Sequence, residues 1–214
     1  MNRYEEIRKY INDLIVDIEK MDYYENKVGC LYSVMDTFAQ EYYKYPSFDS
    51  KNAFCDFILK FATKDKYNFL ELIDPLTLIY DISVTPIKLD ELDEANIYVP
   101  NSSSIRKICN RKEVKNANEK DKKKHKYIEL LYKNRSKIIH EGNSAGLIRV
   151  KNENNYNTPI YLDYSSHWRL LFPYNFLKEL FLDCITNYLI EQEKLGLDPF
   201  ENNINRKSFY AFYD

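Results

Sequence analysis

The sequence predicts an all-α fold, and three observations carry that reading. Apolar residues recur at helical spacing through most of the chain, glycine and proline are scarce at 4 and 7 of 214 residues, and the long helix-prone runs stop at capping residues or breakers. A composition 44% hydrophobic and 15% aromatic supplies a sizeable core and excludes a disordered chain, and the length suits one domain spanning 1–214.

The elements follow in order. Ile7, Ile11, Leu14, Ile15 and Ile18 form one helical stripe, and Val28, Leu31, Met35, Phe38 and Tyr42 form a second, so two helices of about five turns open the chain. Tyr45-Pro46-Ser47 breaks it. Asp49 or Ser50 then caps a helix carrying Phe54, Phe57, Ile58 and Phe61, and short helices continue to about Ser83; the apolar 49–82 stretch suits core or a dimer face. Residues 84–101 hold two prolines and many acids without a period, so they read as a long connection. Ser102 to Ser104 can start a basic helix, and residues 119–141 read as one continuous helix stopped by Gly142. LIRV (147–150) and PIYLDY (159–164) flank the turn-rich NENNYN and suggest a two-stranded β-ribbon near 147–162. Pro173 fits the first turn of a long final helix whose apolar side runs from Phe176 to Leu189 and whose stop is Gly196. The tail at 197–214 is aromatic enough to dock, with Phe200, Phe209, Tyr210, Phe212 and Tyr213.

Several function classes fall away. No G-x-G-x-x-G or G-x-x-x-x-G-K occurs, which removes the phosphate-cradling loops of nucleotide enzymes. Cys30, Cys55, Cys109 and Cys184 form no C-x-x-C pair, and three distant histidines make no zinc pattern, so no metal or cofactor is expected. The N-terminus alternates charged and apolar residues and lacks the apolar run of a signal peptide or membrane span; a cytoplasmic protein without a membrane association is expected.

The net charge of −2 hides an asymmetry. The basic segment within 101–142 carries thirteen cations and four acids between Asn101 and His140, a local +9, which leaves −11 on the rest of the chain. Such clustering is the footprint of a phosphate-backbone binder, with Lys122, Lys123, Lys124, Lys126, Lys133 and Lys137 as candidate RNA contacts; a solvated helical face is the bland alternative.

One residue breaks the pattern of that segment. Ile128, Leu131, Arg135 and Ile138 are spaced i, i+3, i+7 and i+10, so Arg135 interrupts an apolar stripe and needs a carboxylate, a phosphate or an open cleft. A structural ion pair with some Asp or Glu is one solution. His140 lies five residues on, about 140° round an ideal helix. The two converge only if the helix ends near His140, if the arginine wraps, or if a two-fold axis brings a second copy opposite. Near a helix end His140 can equally be a cap.

Tyr132 to Gly142, YKNRSKIIHEG, resembles the R-x4-H motif of the HEPN superfamily, most closely its Apea-like group, with Arg135, Ser136 and His140 in the motif positions. The resemblance implies a helical bundle acting as a homodimer, in which two motifs form one metal-independent RNA-cleaving site, in toxin or antiviral defence settings in prokaryotes. It further implies His140 as acid/base, Arg135 as stabiliser of the phosphate charge and Ser136 as a polar helper. Other members only bind RNA or a protein, and an antitoxin or defence-system partner would be in keeping. Two positions depart from the family pattern: Ser136 stands where many active members have Asn, Asp or His, and Gly142 stands where a regulatory tyrosine is modified in some toxins.

The remaining histidines read differently. His125, within KKKHK, is expected to be a solvated member of the basic face. His167, with Trp168 and Arg169, is expected at the start of the last helical region, with Trp168 in the core.

Overall fold

A computed structural model describes residues 2–43, 49–82, 97–99, 102–141, 156–164 and 167–200. It is mainly helical, as the periodicities require. Helix α1 (Arg3–Glu19) starts at a capping box, in which Asn2 accepts from the Glu5 amide and the Glu5 carboxylate accepts from the Asn2 amide. Helix α2 (Tyr24–Tyr43) packs against α1, α3 (Ser50–Phe61), α9 (Tyr127–Glu141) and α10 (Tyr174–Leu195), which makes it the central rod. Asp49 caps α3 through the Lys51 amide. Short pieces follow as expected: α4 (Lys64–Tyr67), a 3-10 turn and α5 (Pro75–Ile82).

The main core lies between α1, α2, α3, α9 and α10, with Phe38, Phe54, Phe57, Leu177, Phe181 and Tyr188 buried. Phe200 docks here against Phe38 at a ring-centroid distance of 5.2 Å, so the tail begins by covering the core. The later tail aromatics, from Phe209 on, lie outside the described residues. Helix α10 ends where Gly196 adopts φ 67°, a left-handed cap that only glycine takes without cost.

A second, smaller core joins α5, α6 (Ser102–Cys109), α7 (Lys112–Asn116) and a sheet. That sheet has three strands, in the order β1 (Ile97–Tyr98), β2 (Ile160–Tyr164), β3 (His167–Leu171). The β-ribbon is therefore built differently from expectation. PIYLDY pairs with His167–Leu171, in register from Ile160↔Leu171 to Tyr164↔His167, and LIRV lies outside the described residues. His167, Trp168 and Arg169 accordingly belong to a strand and not to the last helical region. The burial of Trp168 beside Tyr98 explains why: the indole completes the smaller core from the sheet side.

The expected single helix over 119–141 is two, α8 (Glu119–Lys124) and α9. The interruption is tertiary in origin. The Asp74 amide donates to the His125 carbonyl at 2.7 Å and the Tyr127 amide donates to the Leu72 carbonyl at 3.0 Å, so the strand-like segment before α5 takes over hydrogen bonds that a continuous helix would have made. His125 itself is buried at the break and not solvated. Its Nδ1 lies 2.7 Å from the Asp121 carbonyl and its Nε2 lies 2.7 Å from Asp81 Oδ2. Through these two contacts the His125 ring ties α5 to the α8–α9 corner.

Candidate functional site

Helix α9 presents its apolar stripe of Ile128, Leu131 and Ile138 to α2, and Arg135 sits in the middle of that stripe, buried. Asp36 of α2, also buried, meets it: Arg135 Nε donates to Asp36 Oδ2 at 2.9 Å, and Arg135 Nη2 donates to the same oxygen. Burial pushes the Asp36 carboxyl above its ordinary range, against the opposing pull of the Arg135 hydrogen bonds and charge and of His140. One turn before Asp36, the Tyr32 hydroxyl donates to Asn134 Oδ1 at 2.8 Å. Two successive inward positions of α2 thus grip two successive residues of α9, which fixes the rotation of α9 about its own axis.

The third guanidinium nitrogen points elsewhere. Arg135 Nη1 lies 3.5 Å from Nε2 of His140, and its guanidinium carbon lies 5.5 Å from the ring centroid of Tyr132. Arginine has only donors, so any hydrogen bond in this contact runs from Nη1 to His140 Nε2. His140 is exposed. Of the routes to convergence, the long arginine wrapping round the helix is the one the single chain uses. The result is an ordered chain, Asp36 to Arg135 to His140, running from a buried carboxylate to a solvent-facing imidazole.

Asp36 is the residue that the sequence does not point to. At about 100° per residue it lies about 80° round α2 from Val28, at the edge of the apolar stripe, where acids are unremarkable. It is buried because α2 is covered on several sides. Ser136 is half-buried on α9, directly after Arg135.

The six candidate lysines separate into groups. Lys122 pairs with Glu119 at 2.9 Å, and Lys133 Nζ donates to the Lys124 carbonyl at 3.3 Å. Lys123, Lys124, Lys133 and Lys137 are exposed, and Lys126 is half-buried at the start of α9. Lys126, Lys133, Lys137 and His140 fall within about 60° of one helical face, spread over about 21 Å of axis. The imidazole is therefore the end of a cationic row.

No protein-family model matches the chain, and neither a curated protein nor a solved structure similar to it was found. Among the described residues no group of three or more His, Cys, Asp or Glu could hold a metal ion, and no helix is long and apolar enough to cross a membrane.

A groove of about 520 Å³ adjoins this arrangement. Asn26, Gly29, Cys30 and Ser33 of α2 form one wall and Ile138 and Ile139 of α9 form the other, with Met21 and Glu25 closing one end.

Proposed function

We propose that this chain is a metal-independent endoribonuclease of HEPN type, with Arg135 and His140 as its catalytic residues. The observation that carries the proposal is the approach of an exposed imidazole to a guanidinium that a buried carboxylate holds in place, at the end of a cationic row. In the reaction, His140 takes the proton of a ribose 2′-hydroxyl as the 2′-oxygen bonds to phosphorus; the bond from phosphorus to the 5′-oxygen breaks, and that oxygen leaves protonated. The products are a 2′,3′-cyclic phosphate and a 5′-hydroxyl. One imidazole suffices for one proton transfer, so a homodimer that sets two His140 side chains around one cleft supplies both base and acid. Arg135 stabilises the charge that grows on the phosphate oxygens. We place this activity in the cytoplasm, in keeping with four cysteines that are all free thiols, and in prokaryotic toxin or antiviral defence, where the resembling family acts.

A second reading has its own support. Asp36 already occupies Nε and Nη2 of Arg135, and Ser136 replaces the polar residue of many active members, an arrangement suited to a silent module that binds RNA or a protein. Incubating single-stranded RNA with the chain in excess EDTA decides between them. Cleavage by the wild type, abolished in His140→Ala and in Arg135→Ala, is the result expected of the nuclease. Intact RNA in every lane, with binding that weakens steeply in salt, points to the silent module instead.

A further inference from the structure

We propose that Tyr32 and Asn134 are positioning residues of the cleavage reaction: the hydrogen bond between them holds α9 at the rotation that brings Arg135 to His140. This rests on the ribonuclease reading above. Asn134 immediately precedes Arg135, and Tyr32 lies one turn before Asp36, so the contact is the neighbour of the ion pair on both helices.

The hydroxyl of Tyr32 is a fixed point. Its ring is wholly buried and meets Phe54 of α3 and Phe181 of α10 at centroid distances of 6.1 and 5.5 Å, so three helices set its place. Burial raises the phenol well above its ordinary range, with Tyr24 and Asp36 adding to the rise against the Arg135 charge, so the hydroxyl stays protonated. From that point it donates to Asn134 Oδ1 at 2.8 Å, across 102 residues of chain. Phe54 also meets Tyr132 at 5.8 Å, the ring over which the guanidinium lies, so one side chain of α3 backs both grips. The ion pair does not fix α9 in the same way. The long stem of arginine lets the helix turn while the guanidinium stays on Asp36, whereas the short side chain of asparagine transmits the rotation directly. The two grips lie about 100° apart round α9, so together they oppose turning in either sense. Small turns matter here. With side-chain ends about 5–6 Å from the helix axis, a turn of about 10° moves them by about 1 Å. A misplacement of that size in a catalytic group can cost about a hundredfold in rate. The Arg135 to His140 distance of 3.5 Å leaves no room for it.

Conservative replacements give the test. Tyr32→Phe removes the hydroxyl and keeps the ring among its neighbours, Asn134→Ala removes the acceptor, and Asn134→Asp retains one. For each variant, kcat and KM are measured on an oligoribonucleotide cut at one bond, in excess EDTA, together with the thermal unfolding midpoint. Tyr32→Phe and Asn134→Ala are each expected to lower kcat by about tenfold to a hundredfold. KM is expected to stay within about twofold of the wild type, because the lysines of the cationic row are untouched. Asn134→Asp is expected to recover most of the loss in kcat. The double variant, Tyr32→Phe with Asn134→Ala, is expected to lose no more than the slower single one, since one hydrogen bond is removed only once. Unchanged kcat in both single variants overturns the positioning role, as do losses that multiply in the double variant. A fall in kcat that matches the fraction of Tyr32→Phe unfolded at the assay temperature also overturns it, by leaving the contact to stability alone. If the wild type leaves the RNA intact, the ribonuclease reading fails and the positioning role with it, whereas cleavage indifferent to Tyr32 and Asn134 fails the positioning role alone.

Discussion

Arg135 shows how one charged residue on an apolar face sets the chemistry around it. A buried guanidinium is tolerable only with its carboxylate, so Asp36→Ala leaves an uncompensated charge and is expected to destabilise the fold by about 3–5 kcal/mol. Chemical denaturation measures this, and the double replacement Asp36→Leu with Arg135→Met should regain most of the loss, because shape-matched apolar groups need no partner. Failure of the double variant to recover would mean that the pair acts through something other than mutual charge compensation. A second buried carboxylate gives a pH prediction. Asp74 is fully buried and accepts from the Leu76 amide at 3.1 Å, from Tyr161 and from Thr77; burial raises its pKa above the ordinary 3.8, with those hydrogen bonds opposing. The folded carboxyl thus binds a proton at pH values where the unfolded one has lost it. Its contribution to stability therefore grows as pH falls from above the raised value toward 3.8, and declines as pH rises through that window. Asp74→Asn keeps an acceptor for the amide at the start of α5 and carries no charge. Unfolding midpoints between pH 4 and 7 are expected to vary less in the variant than in the wild type.

At the scale of elements, α10 and the α8–α9 corner make opposite points. The end of α10 is local chemistry: Gly196 at φ 67° closes the helix, and among the described residues no atom lies within 4 Å of a Cβ placed there. Gly196→Ala should therefore cost about 1–2 kcal/mol through backbone conformation alone, read as a lower denaturation midpoint with unchanged activity. A cost near zero would show that the cap relaxes. The α8–α9 corner is the reverse case. KDKKKHKYIELL has no breaker, yet the chain turns at His125 because backbone groups of Leu72 and Asp74 compete successfully for its hydrogen bonds, and the imidazole between the Asp121 carbonyl and the Asp81 carboxylate holds the competition in place. Helix propensity is a sum of small terms, and a few tertiary hydrogen bonds outweigh it. The same logic governs the sheet: PIYLDY reads as a strand in isolation, but its partner is chosen by the core that Trp168 completes.

For the whole molecule the charge asymmetry is the property with measurable reach. The row of Lys126, Lys133 and Lys137 leads along α9 to His140, whereas the rest of the chain is acidic, so on the proposed ribonuclease reading the chain presents one cationic face to RNA. If Lys133 and Lys137 each neutralise a phosphate, replacing both with Gln reduces the slope of log binding constant against log salt by about 1.4, at about 0.7 per phosphate on a single strand. Titrations at several salt concentrations measure it, and an unchanged slope would remove α9 from the RNA path.

The sequence by itself determined the helical architecture, because the 3.6-residue period of α1, α2, α3 and α10 is imposed by short-range geometry and is visible in the order of residues. It likewise determined that Arg135 is an anomaly and that the basic charge is gathered around it. It did not determine what answers the anomaly. Asp36 is 99 residues away along the chain and sits at the edge of its helix stripe, and only the burial of α2 between its neighbours brings it inside. Nor did it determine that His125 is buried, that 119–141 is bent, or that Arg135 reaches His140 within one chain. Each of those depends on a partner distant in sequence, and partners are chosen by packing, which the local order of residues does not encode.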